Sequence, residues 1–128
     1  MNIDMAGSIF GKVWGTTSTI FSCNNVEVCR IEGIRGGKSS MHKHISKVSQ
    51  FFVESGSIAV YIEKSYNLTD MTILKPGQLT VVQPDEFHRF EILEDKTVCY
   101  EFYWTVLDHF DIIRKDCGSL GSILQDPA

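Results

Sequence analysis

The stretch SQFFVESGSIAVYIEK, residues 49–64, decides the fold class of this chain. It is rich in β-branched and aromatic residues, which are typical of strands, and a single glycine, Gly56, interrupts it. We therefore expect two strands, 49–55 and 57–64, that form a pair closing at Gly56.

Similar short runs, separated by turn residues, extend in both directions from this stretch. Asn24-Asn25 is expected to close a tight hairpin, because asparagine tolerates positive φ. The run TVCYEFYWTVL (97–107) alternates with a period of two, which indicates a strand. Other predicted strands are 18–23, 26–32, 39–45, 71–74, 78–82 and 88–92. So many short strands with Gly, Pro and Asn turns predict an all-β sandwich or closed barrel.

The length of the chain, 128 residues, is that of one domain. We expect residues 1–128 to form a single unit, with the barrel core at about 18–107 and a C-terminal arm at about 108–128. Within that arm, only residues 108–115 allow a helical turn.

Composition excludes several classes of protein. The net charge is -4 and the twelve Lys and Arg residues are scattered, which argues against a nucleic-acid partner. No apolar run is long enough for a membrane span. The first ten residues lack the pattern of a secretory signal, and the four cysteines form no CxxC pair. A cytoplasmic location with reduced thiols is expected.

Three histidines stand out. His42 and His44 are two residues apart, so on a strand both imidazoles point to the same face. His88 opens another predicted strand directly after a proline turn, where the mouth of a barrel is expected. Together they suggest a metal site; the alternative interpretation is two solvated histidines and one structural histidine.

The spacing of these histidines resembles the two motifs of the cupin superfamily. The first motif, G-x5-H-x-H-x3-4-E-x6-G, is matched by Gly36, His42, His44 and Gly56, and the second by Gly77, Pro84 and His88. The resemblance covers roughly residues 26–107 and implies a double-stranded β-helix, the jelly-roll barrel of cupins. Trp14-Gly15 and the runs 51–56 and 84–90 are similar to the C-terminal domain of mannose-6-phosphate isomerases.

The chain departs from the first motif at one metal ligand. The position of the motif's glutamate falls on Ser49, whose side chain is too short and too weak a donor to replace a carboxylate. The neighbouring Gln50 is a candidate fourth ligand beside His42, His44 and His88, provided that a β-bulge turns it inward. Three imidazoles suit a divalent transition metal (Zn, Fe, Ni, Mn or Cu) better than Mg or Ca.

Glu101 and Tyr103 are the candidate catalytic residues. They lie on the face of the last predicted strand opposite its aromatic stripe. If that face lines the barrel, Glu101 can move protons and Tyr103 can hold a substrate hydroxyl. The competing interpretation is a solvated strand face.

The resemblance implies a small metal-binding cupin that acts as an isomerase or epimerase on a sugar or sugar phosphate. Two alternatives remain open: a non-catalytic cupin that binds a carbohydrate or another small ligand, and a three-His metal-dependent oxygenase. The apolar stripe on 98–106 further predicts a homodimer.

Overall fold

The computed structural model of the chain describes residues 9–105 and 110–116, with only the backbone described at Ile9, Phe10 and Tyr66. These ranges contain one short 3-10 helix, Ser65–Asn67, and nine strands. The strands are β1 (Ile9–Lys12), β2 (Gly15–Cys23), β3 (Val26–Gly33), β4 (Val48–Ser55), β5 (Ile58–Glu63), β6 (Thr69–Leu74), β7 (Leu79–Val82), β8 (His88–Ile92) and β9 (Thr97–Trp104).

The strands form two antiparallel sheets that face each other. The larger sheet has the order β1-β2-β3-β9-β4-β7, and the smaller has the order β6-β5-β8. Apolar side chains from both sheets fill the space between them, as in a jelly roll. The buried cluster consists of Trp14, Ile31, Phe51, Val53, Ile58, Val60, Leu74, Val82, Phe90, Ile92 and Cys99. The all-β prediction is confirmed.

The predicted hairpin at Asn24-Asn25 is confirmed. Strands β2 and β3 pair from Gly15↔Gly33 to Cys23↔Val26, and Asn24 adopts a φ of 46°, in the left-handed region that asparagine tolerates. β3 then pairs with β9 along its whole length, from Val26↔Trp104 to Gly33↔Thr97.

The predicted pairing of 49–55 with 57–64 is wrong. Both segments are strands, but β4 lies in the larger sheet between β9 and β7, whereas β5 lies in the smaller sheet between β6 and β8. Gly56 therefore carries the chain from one sheet to the other rather than closing a hairpin. Its φ is +80°, and a Cβ added there would collide with Thr97, so glycine alone fits this crossing.

Alternation along β4 and β9 assigns each side chain to one side of the larger sheet. Ser49, Phe51 and Val53 on β4, like Cys99 and Glu101 on β9, are buried on the inner side. The aromatic residues Tyr100, Phe102 and Trp104 face outward and are half-buried. Val106, the last member of the predicted stripe, lies outside the described residues.

Most of the predicted C-terminal arm also lies outside the described residues. The part that is described, 110–116, contains a turn and bends without a helix, so a helical turn is absent from it. Within the described ranges, no helix has the length and apolar character needed to cross a membrane.

Candidate metal centre and ligand cavity

The segment that carries His42 and His44 runs along the free edge of β8. The backbone N–H of His42 donates to the carbonyl oxygen of His88 at 3.0 Å, and the N–H of His88 donates to the carbonyl oxygen of His42 at 2.8 Å. Such a reciprocal pair places two residues directly opposite each other with their side chains on the same face. The contact continues upstream, where the N–H of Ser39 donates to the carbonyl oxygen of Phe90 and the N–H of Phe90 donates to the Ser39 hydroxyl, each at 3.0 Å. The chain thus fixes the two motifs against each other through its backbone.

Three imidazoles converge at this bridge. The ring centroids of His42 and His88 are 4.5 Å apart, those of His42 and His44 are 5.1 Å apart, and those of His44 and His88 are 5.5 Å apart. One ring nitrogen from each residue lies within 4.8 Å of the other two. Nitrogens on opposite sides of one ion, each about 2.0–2.1 Å from it, are separated by up to about 4 Å. The cluster therefore needs only small side-chain adjustments to hold one metal ion.

Hydrogen bonds fix which ring nitrogen is free in two of the three imidazoles. The Nδ1 atom of His42 lies 2.8 Å from the carbonyl oxygen of Ser40, and the Nδ1 atom of His88 lies 3.0 Å from the carbonyl oxygen of Glu86. A carbonyl only accepts, so both Nδ1 atoms carry the proton and leave Nε2 with its lone pair. The Nε2 atoms of His44 and His88 are buried without a hydrogen-bond partner. Buried lone pairs of this kind are an arrangement that a metal ion satisfies.

Burial keeps two of the three imidazoles neutral. Burial, reinforced by the neighbouring Lys47, lowers the pKa of His44 to about 4. Burial also lowers the pKa of His88. Both imidazoles are therefore unprotonated at neutral pH, the form that a metal requires.

A cavity of about 530 Å³ opens beside His42. Glu101 and Tyr103 from β9 line it together with Glu27 and Cys29 from β3. The rings of Trp14 and Phe90, which meet edge to face with centroids 5.0 Å apart, form an apolar wall. The other lining residues are Lys12, Val13, Thr17, Thr19, Ile31, Lys38, Ser39, Ser40 and Lys47. The cavity combines an apolar wall with converging polar groups, as small-molecule sites do.

A second, larger depression lies elsewhere on the molecule. Its volume is about 650 Å³, and its lining residues are Gly15, Thr16, Glu32, Gly33, Ile34, Asp95, Lys96 and Val98. It contains no imidazole, whereas the smaller cavity borders the histidine cluster. The chemistry of the lining, rather than the volume, makes the smaller cavity the candidate site.

No family model matches the chain, and no curated protein matches it in sequence. Solved structures match it well. KdgF from Halomonas sp. superposes with a TM-score of 0.66 at 16% identity, over 76% of this chain and 85% of that protein. A variant of oxalate decarboxylase from Bacillus subtilis gives a TM-score of 0.69 at 13% identity, over 77% of this chain. CapF bound to the inhibitor 3-isopropenyl-tropolone gives 0.67 at 16% identity, over 79% of this chain.

The chain has the cupin fold. It spans only 27% of oxalate decarboxylase and 31% of CapF, so in those proteins the cupin unit is one part of a longer chain. These similarities establish the fold.

The position of the cupin motif's glutamate faces the barrel interior. Ser49 is 1% exposed and its hydroxyl is buried without a hydrogen-bond partner. Gln50 pairs with Phe102 and Val81 in an uninterrupted register, so no bulge turns it inward and its side chain lies on the outer side of β4. Gln50 therefore does not face the three imidazoles.

A carboxylate introduced at Ser49 is expected to strengthen metal binding. Ser49→Glu adds an inward-facing anionic oxygen donor, so metal affinity rises at least about tenfold. Gln50→Glu is the matched control, because it adds the same charge on the outer side of the same strand. Isothermal titration calorimetry with zinc measures the metal affinity of both variants. Stronger binding by Gln50→Glu than by Ser49→Glu would mean that the register of β4 is displaced by one residue.

Glu86 stands where the second cupin motif commonly has glycine, and it organises the turn before β8. Its carboxylate accepts a hydrogen bond from the N–H of Gln83 at 2.9 Å and pairs with the Lys64 ammonium at 2.8 Å. Its carbonyl meanwhile accepts from the His88 imidazole at 3.0 Å. Glu86 thus fixes the turn that orients one of the three imidazoles.

Glu101 and Tyr103 both lie on the inner side of β9. Glu101 is 7% exposed, and burial raises the pKa of its carboxyl to about 7. The Tyr103 hydroxyl and Lys47 act in the opposite direction on that pKa, and Glu27 adds to the rise. The Tyr103 ring also contacts His44, with centroids 5.3 Å apart. The two predicted catalytic residues therefore stand beside the histidine cluster rather than on a solvated face.

Several lining residues were not identified from the sequence. Lys12 and Thr19 lie on the paired strands β1 and β2, and Lys47, far from them in the chain, meets them only when the barrel closes. The only local signal was the alternation along β2, which places Thr17 and Thr19 on the inner side beside Ile31 and Cys29. Nothing in the local sequence of Lys12 or Lys47 distinguishes them from other surface lysines.

Proposed function

We propose that this protein is a metal-dependent cupin in which His42, His44 and His88 hold one divalent transition metal. The support is the convergence of the three imidazoles, of which His44 and His88 are neutral, together with the two buried Nε2 atoms that have no hydrogen-bond partner. Nitrogen donors favour Zn, Fe, Ni or Cu over Mg and Ca, and Mn is a further candidate. The oxalate decarboxylase of Bacillus subtilis, which has the same fold, has Mn(II) centres.

We further propose that the cavity binds a small hydroxylated carbonyl compound, such as a sugar or sugar phosphate, and that the reaction is an isomerisation or epimerisation. The observation that carries this proposal is the buried carboxyl of Glu101, with a pKa of about 7, in the same cavity as His42. A general base works best when its pKa lies near the working pH. Such a base can remove a proton next to a carbonyl and return it to the neighbouring carbon.

The residues of the chain have separate tasks in this reaction. Glu101 accepts and returns the proton, and the Tyr103 hydroxyl binds a substrate oxygen. Trp14 and Phe90 exclude water from one side of the cavity. A bound divalent metal supplies Lewis acidity that polarises a carbonyl and lowers the pKa of the adjacent C–H.

The test is a search for proton exchange at carbon. Metal-loaded protein is incubated with aldose and ketose sugars and their phosphates in D₂O, and deuterium incorporation is followed by NMR. Incorporation at the carbon next to the carbonyl supports the proposal. Turnover that consumes oxygen instead points to the oxygenase.

One observation favours a second candidate, a binding module without catalysis. Ser49 occupies the position of the motif's glutamate, so the site has one ligand fewer than the motif provides. The binding module is identified if the protein binds sugar saturably but shows no deuterium exchange, consumes no oxygen and retains no metal.

We also propose that two copies pair through the outer side of the larger sheet. The half-buried side chains of Val28, Phe52, Tyr100, Phe102 and Trp104 form an apolar patch across β3, β9 and β4. Arg30 and Glu54 stand on opposite sides of Tyr100, whose hydroxyl donates to Glu54 at 2.7 Å. A two-fold axis parallel to β9, between the two facing sheets, brings Arg30 against Glu54 of the partner subunit. A surface that carries both charges in this order is complementary to a second copy of itself.

A substitution that introduces a charge into this apolar patch tests the dimer. Phe102→Glu is expected to convert the protein to a monomer of 14.5 kDa, because a carboxylate buried in an apolar interface has no partner. Light scattering measures the mass, and Met71→Glu, on the exposed outer side of the smaller sheet, is the matched control. A mass of 14.5 kDa for the unmodified protein at micromolar concentration would refute the dimer.

A further inference from the structure

Three lysines converge on the cavity from distant parts of the chain. Lys12 ends β1, Lys38 lies in the segment beside β8, and Lys47 immediately precedes β4. Lys12 and Lys38 are exposed at its edge, and the half-buried Lys47 places its Nζ atom 4.1 Å from the centre of the Tyr103 ring.

None of these three lysines forms an ion pair with another described residue. Two neighbouring lysines behave differently. Lys43 pairs with Asp85 at 2.9 Å and Lys64 pairs with Glu86 at 2.8 Å, and neither lines the cavity. The two lysines that flank the cavity are thus neutralised by carboxylates, whereas the three that line it are not.

The two carboxylates of the cavity do not take over this role. Glu101 forms no ion pair with a described residue, although Lys47 acts on the pKa of its buried carboxyl, and Glu27 accepts a hydrogen bond from the Cys29 thiol at 3.6 Å. Apolar walls such as Trp14 and Phe90 lower the local dielectric and strengthen the field of unpaired cations at the mouth.

We propose that Lys12, Lys38 and Lys47 form an anion subsite, and that the ligand is a small hydroxylated molecule with a carboxylate or phosphate group bound there. This inference rests on the proposed function in one respect, because it places the ligand in the same cavity. With its anionic group at the lysines, the hydroxyl or carbonyl end of a molecule of sugar size reaches His42 and Glu101, which line the same 530 Å³. Phosphate and carboxylate are both recognised by ammonium groups, so the charge is the shared feature.

The test uses three forms of one sugar: D-glucose, D-glucuronate and D-glucose 6-phosphate. Full-length protein without added metal is titrated with each, and binding is followed by the amide signals of the cavity residues. We expect saturable shifts with at least one of the two anions at concentrations where glucose gives none. A response to glucuronate alone identifies a carboxylate ligand, and a response to glucose 6-phosphate alone identifies a phosphate ester.

Substitution of the lysines assigns the binding to this subsite. Lys12→Gln, Lys38→Gln and Lys47→Gln are each expected to weaken anion binding about five- to tenfold, whereas Lys75→Gln, an exposed lysine outside the cavity, leaves it unchanged. Equal responses to glucose and both anions, no response to any of them, or equal effects of Lys75→Gln and the cavity variants would overturn the subsite.

Metal uptake by the same proteins separates the two proposals. The lysine variants should bind metal as the unmodified protein does. If the protein takes up no metal but binds the anions through these lysines, the proposed function fails and the subsite stands. If it takes up metal and ignores the anions, the reverse holds.

Discussion

Replacing His42 and His44 together with alanine is expected to abolish uptake of a divalent transition metal. The two substitutions leave a single imidazole, and one nitrogen ligand cannot hold a metal against water. The backbone bridge between residues 42 and 88 involves no side-chain atoms, so the β-sheet signal in circular dichroism should persist. Elemental analysis after dialysis against metal and then against buffer measures the loss.

Lys43→Ala is the matched control for this double variant. Lys43 lies between the two histidines, and its exposed ammonium pairs with Asp85 rather than lining the site. Metal content should therefore stay at the level of the unmodified protein. A double histidine variant that retains full metal content would place the metal somewhere other than at the three imidazoles.

Replacing Glu101 with glutamine is expected to lower turnover by about 10²–10⁴-fold, since the amide cannot accept the proton. Metal content should not change, because Glu101 is not one of the three ligands. As a base, Glu101 acts in its deprotonated form, so kcat/KM of the unmodified protein should rise with pH and level off above about 7. The variant should lose this rise.

The pH dependence of protein stability is a second measure of the pKa of the Glu101 carboxyl. Burial raises the pKa of Glu101 from 4.5 to about 7, so between these values the folded protein holds a proton that the unfolded chain releases. The free energy of unfolding should therefore fall as pH increases from about 4.5 to about 7, and Glu101→Gln should reduce that fall. Glu27→Gln, a partly exposed carboxylate of the same cavity, is the control. If Glu27→Gln removes the pH dependence and Glu101→Gln does not, the two roles have been exchanged.

The sequence predicted the strands better than their partners. Alternation and turn residues placed β8 and β9 and the hairpin at Asn24-Asn25, because these features depend on neighbouring residues alone. The pairing across Gly56 was wrong, because a two-strand pattern is the same whether the second strand returns to its own sheet or crosses to the other. Only the packing of the whole barrel decides between them.

The sequence predicted those parts of the candidate site that depend on residues close together in the chain. Two histidines two residues apart share a face in any extended segment, and the third was placed by its proline turn. The sequence left the orientation of Glu101 open, because β9 has large apolar groups on one face and mixed residues on the other. The local sequence could not predict that Lys12 and Lys47 line one cavity. The two residues are 35 positions apart in the chain, so their charges act on the same space only in the closed barrel.

The three imidazoles are proposed to hold one metal ion through Nε2. The most direct test of this metal site is a zinc titration followed by long-range proton–nitrogen correlation spectra of the histidine rings. We predict that the Nε2 signals of His42, His44 and His88 shift together and stop changing at about one zinc per chain. This metal site is ruled out if any of the three rings stays unchanged, if a ring binds through Nδ1, or if the shifts do not saturate at that ratio.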